Sequence, residues 1–355
     1  VVGARPNFPK IAPIMAAMAR QPQRWSQRLV HTGQHYDERM SALLFHDLEL
    51  PEPDEYLGVG SGSHAQQTAR VMLAFEPVVL RERPDWVLVV GDVNSTVACA
   101  LVCAKLGVPV AHVEAGLRSG DRTMPEEINR IVTDQLAELL FTHSPDADRN
   151  LLREGVAAER IVRAGNVMID SLVAALPAAE RSDVLERLGL AHRAYGVVTL
   201  HRPSNVDDDA SLGRIAGALG EVAQELPLVW PLHPRAAERI RMLAGARPGL
   251  RLIEPQGYID FVRLTRDARL VLTDSGGLQE ESSWLGVPCL TLRPNTERPI
   301  TIERGTNVLV GSEPDAIVRA ARRALGQPMP EPAAIEGWDG HAAERIVSAL
   351  WSKGD

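Results

Sequence analysis

The sequence predicts an α/β protein of two Rossmann-like domains facing across a cleft, and three features point that way. Strand-like apolar runs alternate with helical periodicity from one end of the chain to the other, the pattern of parallel sheets covered by helices. The chain has 355 residues, beyond the size at which one core usually stops growing, so two domains are expected. Finally, Leu270-Val271-Leu272-Thr273 runs through Asp274-Ser275-Gly276-Gly277 into a helix-forming segment containing Gln279, Glu280 and Glu281. Paired glycines allow a ligand close to the backbone, and the first amides of a helix have no intrahelical acceptor, so they suit an anion such as a diphosphate. A glycine pair after a strand is equally a packing device. Glu281 disfavours a bare phosphate and suits hydroxyls such as those of a ribose, which makes a nucleotide the expected ligand.

Taken in order, the first half reads as strands at Leu29 to Thr32, Trp86 to Val90, Pro109 to Val113, Leu140 to His143 and Ile161 to Arg163. Helices are expected at Ser63 to Leu80, Ser95 to Leu106 and Pro125 to Leu139. The last opens with proline followed by Glu126 and Glu127, residue types that suit a helix N-terminus. Gly165-Asn166 signals a turn, and the first domain is set at residues 1–167. The second half repeats the scheme, with strands at Gly196 to Leu200, Leu228 to Pro231, Leu250 to Ile253, Leu270 to Thr273, Cys289 to Leu292 and Asn307 to Val310. It is set at 168–338 and is closed by a helical pattern at Asp315 to Leu325. A last helix, His341 to Trp351 within 339–355, is placed as one that returns to the first domain. The chain opens at Val1-Val2-Gly3 inside a strand-like run, so a few preceding residues are expected, and no signal peptide is legible.

Composition excludes several classes. A net charge of −8 argues against general nucleic-acid or anionic-membrane binding, and no apolar run has membrane-spanning length. Groups that bind an anionic ligand must therefore cluster locally. Cys99, Cys103 and Cys289 lack metal-site spacing and read as buried thiols in a reducing cytoplasm. Asp207-Asp208-Asp209 precedes a helix and reads as helix N-terminal charge, so no metal site is expected.

In open parallel sheets ligands bind beyond the carboxyl ends of the strands. The first strand ends in Gly3-Ala4-Arg5-Pro6-Asn7-Phe8-Pro9-Lys10, and the next ones in Gly91-Asp92-Val93-Asn94-Ser95 and Glu114-Ala115-Gly116. In the second half the ends carry His201-Arg202-Pro203 and His233-Pro234-Arg235. Blander readings stand beside these. Asp92 can cap the following helix, Glu126 and Glu127 suit a helix N-terminus, and Arg5 and Lys10 can be surface charges, although Pro6 and Pro9 stiffen their loop. His201 and His233 can be satisfied polar residues. Glu114, between an apolar strand and Ala-Gly, has no capping role. The P-loop, the G-x-G-x-x-G fingerprint and the G-x-S-x-G elbow are all missing from the sequence, which leaves acid–base chemistry on a nucleotide-linked substrate.

Together these motifs resemble the UDP-N-acetylglucosamine 2-epimerases of the non-hydrolysing type, a family with the two-Rossmann-domain GT-B architecture. The resemblance spans nearly the whole chain, through Arg5 to Lys10, Gln34-His35, Gly91-Asp92, His112 to Arg118, Pro125-Glu126-Glu127 with Asn129-Arg130, Gly165-Asn166, His201-Arg202, Asp274 to Gly277 with Gln279 to Glu281, and Thr296 to Pro299. It implies interconversion of UDP-GlcNAc and UDP-ManNAc without metal or redox cofactor. Departure of UDP gives C1 oxocarbenium character and acidifies C2–H; a base removes that proton to leave 2-acetamidoglucal, and re-addition with protonation on the other face inverts C2. By the same resemblance Asp92, Glu114 and Glu126 are the catalytic carboxylates and His201 the catalytic histidine. Arg5, Lys10, His233, Gln256, Phe261, Ser275, Gly276, Gly277, Glu281 and Arg298 fall at nucleotide-sugar positions, and a homodimer is expected. In bacterial relatives a second arginine after His-Arg helps to hold an activating UDP-GlcNAc; here Pro203 follows Arg202, while Gln34, His35 and Arg70 match other activator positions, so activation is expected to be weak. A hydrolysing 2-epimerase, a GT-B glycosyltransferase and a nucleotide-sugar sensor are the competing readings. Three clustered carboxylates favour proton chemistry on the sugar.

Overall fold

The computed structural model describes residues 1–34, 38–232, 236–245 and 247–354, with 38–42 and 354 described in backbone only. It divides into two compact units: Val1–Ala174 with Glu336–Asp355, and Ala175–Ile335. The expected limits were 167 and 338; helix Val167–Glu180 runs through the first of these positions.

In the first unit β1 (Val30–His31) pairs in parallel with β2 (Glu55–Tyr56). A second parallel sheet runs β3 (Val87–Val90), β4 (Val110–Val113), β5 (Leu139–Thr142) and β6 (Ile161–Arg163). Val1 and Val2 stitch the two together. Val2 bridges His31 in parallel, and the Val1 nitrogen donates to the Leu88 carbonyl at 2.8 Å. The strand-like opening is thus reduced to a bridge, because Pro6 lacks an N–H and the chain turns at once into helix. Asn7 secures that turn, accepting from the Gly3 and Ala4 amides at 2.9 and 3.0 Å and donating to Val90 O at 2.9 Å. The expected strand Leu29 to Thr32 keeps only its two central residues in the ladder, and β2 carried no clear signal.

The valine-rich β3 and β4 are covered on both faces, as parallel strands require. Val90, Ala111 and Val113 face a cluster with Phe8, Ile14, Phe141, Ile346 and Leu350. Val87, Val89 and Val110 face Val71, Phe75, Cys99, Cys103 and Leu151. Helix Ala342–Gly354 therefore packs within the first unit, its first amides held by the Asp170 carboxylate at 3.1 and 2.7 Å.

The second unit holds a six-stranded parallel sheet in the order β9-β8-β7-β10-β11-β12. Its strands are β7 (Gly196–Thr199), β8 (Leu228–Pro231), β9 (Leu250–Ile253), β10 (Leu270–Thr273), β11 (Cys289–Thr291) and β12 (Asn307–Leu309). This is the doubly wound order whose direction of growth reverses between β7 and β10, where ligands of such sheets bind. Asp208 caps helix Asp209–Val222 through the Ser211 amide at 2.8 Å, so that member of the aspartate run serves the helix start. Among the described residues no helix is long and apolar enough to cross a membrane.

Candidate active site

In the first unit the register Val90↔Val113 sets the loops after β3 and β4 side by side, which brings Asp92 and Glu114 to the same sheet edge. Asp92 is not a cap: the N-cap of helix Asn94–Leu106 is Val93. Its carboxylate instead meets Arg130 Nη1 at 2.5 Å, and its carbonyl accepts from Asn129 Nδ2 at 2.9 Å. Glu114 is buried with φ 73°, a conformation that costs about 1–3 kcal/mol and persists only where surroundings enforce it. Among the described residues it is the only buried non-glycine with positive φ. Lys10, equally buried, forms an ion pair with it at 2.8 Å, so Lys10 is no solvated surface charge. Arg5 lies in the short helical turn Arg5–Asn7 beside this edge.

Glu126 sits half-buried in the first turn of helix Pro125–Leu136, while its neighbour Glu127, read from sequence as helix charge, is the buried one. Glu127 pairs with Arg130 at 2.6 Å and accepts from the Ser119 and Gly120 amides at 3.0 and 2.9 Å. Burial pushes its carboxyl up, but those amides and the guanidinium hold it below its ordinary value. Of the residues matched to an activator site, Gln34 is buried and accepts from the Ser95 amide and hydroxyl at 3.0 and 2.8 Å, Arg70 bonds the Ser61 carbonyl, and His35 lies outside the described residues. Pro203 opens a short helix, Pro203–Val206.

In the second unit His201 follows β7 and Asp274 follows β10, flanking the switch point. His201 Nδ1 lies 2.9 Å from Asp274 Oδ1, which orients the exposed ring with Nε2 outward. Asp274 is fully buried and also takes the His201 and Arg202 amides and Asn205 Nδ2, at 3.1, 2.9 and 3.0 Å. Burial raises its carboxyl, yet the His201 ring and these donors bring it below the ordinary value. Helix Gly276–Leu285 starts beside it with Ser275 as N-cap, so the Gly276 and Gly277 amides open the helix at the sheet edge.

The clearance at Gly276 has a cause besides the one expected. A Cβ there would lie 2.3 Å from Arg298 Nη1 and 2.8 Å from Glu297 Oε1, so this glycine admits the arginine cluster as well as any ligand. Arg298, buried, pairs with Glu297 at 2.5 Å and Glu280 at 2.8 Å; Glu297 also takes Arg293 at 2.6 Å and Arg202 at 3.5 Å. Although burial opposes it, the surrounding guanidiniums hold the Glu297 carboxyl well below its ordinary value. Glu281 is buried and accepts from the Tyr258 hydroxyl at 3.1 Å; burial, with Glu280 adding repulsion, pushes it up to about 7. Gln256 donates to the Glu254 carbonyl just after β9, and Phe261 lies half-buried against the cluster of Val197, Val271 and Leu278. His233 lies outside the described residues. Sequence reasoning missed Arg130, Asp274, Glu297 and Tyr258 as partners; Arg130, Asp274 and Glu297 stood inside quoted motifs, without a signal for what they hold.

Two Rossmann-like units, one with carboxylates at its strand-end edge and the other with a histidine, arginines and a helix start there, define a protein of the two-domain GT-B class. The profile of the family described as UDP-N-acetylglucosamine 2-epimerase matches residues 17–351, and the chain belongs to that family. A Pseudomonas aeruginosa relative named UDP-2,3-diacetamido-2,3-dideoxy-D-glucuronate 2-epimerase is 44% identical, covering 99% of this chain and 98% of its own. The UDP-N-acetylglucosamine 2-epimerase of Methanocaldococcus jannaschii is 39% identical over 99% of this chain and 97% of its own. The crystal structure of that archaeal protein in complex with UDP-GlcNAc and UDP superposes with a TM-score of 0.91 at 39% identity, covering 98% of each chain.

Two outcomes follow. Gly276→Val drives the new side chain into Arg298 and Glu297, so UDP affinity falls at least tenfold and thermal stability drops as well; calorimetry with a melting curve reads both. Glu281, raised in the folded state, contributes stability at acid pH that is lost as pH rises through about 7, worth up to roughly 3 kcal/mol. Glu281→Gln therefore raises the ligand-free melting temperature at pH 8 and leaves it nearly unchanged at pH 5.

Proposed function

We propose that this protein interconverts UDP-N-acetylglucosamine and UDP-N-acetylmannosamine without hydrolysis. The observation that carries the reading is Glu114, a carboxylate buried at a strand end in a strained conformation beside the Asp92 loop. A C2 proton without an adjacent carbonyl needs a positioned base together with departure of the diphosphate. Asp92, Glu114 and Glu126 supply acid and base at C2. His201, oriented by Asp274, serves the leaving UDP, which the Gly276 and Gly277 amides and Arg298 hold, with Glu281 on the ribose hydroxyls. Arg5, Lys10, Gln256, Phe261 and His233 complete the substrate contacts, and the route needs neither metal nor redox cofactor.

The 44% identity to the diacetamido-glucuronate epimerase favours a second reading, in which the same C2 chemistry acts on that sugar. Proton NMR in D2O with each UDP-sugar separates the two: deuterium enters C2 only of the true substrate, and an inverted UDP-sugar accumulates. Free sugar plus UDP would indicate hydrolysis instead, and an unchanged spectrum would leave a binding protein. With the true substrate, Asp92→Asn and Glu114→Gln lower turnover about a hundredfold or more while UDP still binds. Near-normal turnover in both would remove them from the mechanism.

A cytoplasmic homodimer accords with this reading. All three cysteines are free and buried, as suits a reducing compartment. In the first unit Leu73 and Leu80, seven residues apart on helix His64–Glu82, are 74% and 56% exposed. Met72 of that helix and Ile128 of helix Pro125–Leu136 line one recess of about 570 Å³. Leu73→Glu with Leu80→Glu is expected to yield a monomer in light scattering, and a dimer unaffected by both would move the interface elsewhere.

A further inference from the structure

A histidine in the middle of an apolar strand remains without a role in the reaction as proposed. His112 lies on β4 between Ala111 and Val113, fully buried, and Asp134 beside it is fully buried too. Its Nε2 lies 2.8 Å from the Gly91 carbonyl, which can only accept, so Nε2 carries a proton. Its Nδ1 lies 2.6 Å from Asp134 Oδ1. Burial raises the Asp134 carboxyl, but His112 and Arg118 beside it bring it below its ordinary value. The other oxygen of Asp134 takes the Gly116 amide at 3.1 Å and Arg118 at 2.8 Å; Arg118 is also paired with Glu154.

One buried pair thus grips both loops of the carboxylate edge. Gly91 directly precedes Asp92, and Gly116 follows Glu114 by two residues. Both glycines have positive φ, at 69° and 79°, as does Glu114 at 73°, so the two loops that this pair holds contain three left-handed residues. The helix that supplies Asp134 also supplies Arg130 to the Asp92 side chain and Glu127 to the Ser119 and Gly120 amides, from a single buried face. Desolvating such a pair carries a penalty that apolar side chains of equal volume would not incur. Stability alone does not call for it; definition of geometry does.

We infer that His112 and Asp134 are a positioning pair that sets the Asp92 loop against the Glu114 loop, a role that rests on the epimerase reading. Neither residue touches substrate. Misplacing a reacting group by about 1 Å costs about a hundredfold in rate. The pair therefore governs the proton-transfer step and leaves the anion seat of the second unit untouched.

The test compares His112→Leu, His112→Gln and Asp134→Asn in the full chain, using the UDP-sugar that the wild type turns over and its C2-deuterated form. His112→Leu and Asp134→Asn are expected to lower kcat about 10- to 100-fold with KM within threefold and UDP affinity unchanged. Because proton transfer becomes slower than the other steps, the C2 isotope effect on kcat rises above the wild-type value. His112→Gln, whose amide can still donate to Gly91, recovers part of the loss. Folded variants with wild-type kcat overturn the proposal. So does a lower kcat with an unchanged isotope effect, which signals only a smaller active fraction. Should His112→Leu fail to fold, Asp134→Asn decides, since it keeps the shape and an acceptor for Gly116. Wild-type protein inert toward both UDP-sugars overturns the epimerase reading itself, and the positioning role with it.

Discussion

Arg130 is 1% exposed and carries a full charge, and the strand-end edge of the first unit is arranged around neutralising it. Asp92 on one side and Glu127 on the other meet its guanidinium at 2.5 and 2.6 Å. Removing one partner of such a buried pair typically costs 3–5 kcal/mol, because the remaining charge has no solvent. The loop after β3, the loop after β4 and the helix start at Pro125 are therefore held to one another by a charge that cannot be left alone. Glu114 keeps its left-handed conformation within that frame, with Lys10 as its counter-ion.

The second unit solves a similar problem with the opposite sign. Glu297 is the buried anion, and Arg202, Arg293 and Arg298 gather on it. With Glu280 also on Arg298, three arginines and two glutamates interlock beside the opening of helix Gly276–Leu285. On the proposed reading, this is where a protein of net charge −8 gathers cations locally for an anionic ligand. The helix N-terminus adds amides and dipole, and His201, steadied by Asp274, stands on the neighbouring strand end. Each Rossmann-like unit thus carries the same device, an ion cluster buried at the carboxyl edge of a parallel sheet, which the proposed reaction would use for the proton on one unit and for the leaving group on the other.

Much of this was legible before any coordinates. Val87 to Val90 and Leu270 to Leu272 are apolar on every residue because both faces of a parallel strand are covered, and that pattern located the strand ends where Asp92, His201 and Ser275 stand. The aspartate run was read correctly as helix charge at Asp208. What misled was assigning a residue's purpose from its neighbours in sequence. Glu127 looked like a helix-start charge and is tied to Arg130 and two loop amides; Gly276 looked like a place for ligand and is also the space into which Arg298 fits.

The sequence by itself determined the alternation of strand and helix, the doubly wound class and the chemistry-bearing residues at strand ends, because each depends on local composition and period. Only the tertiary structure decided which of those residues act on one another. Asp92 meets Arg130 across 38 positions, His201 and Arg202 donate to Asp274 across more than 70, and Arg202 reaches Glu297 across 95. Those pairings arise from the order in which parallel strands lie side by side, and every crossover helix between them separates partners in the chain that the sheet then sets within hydrogen-bonding distance.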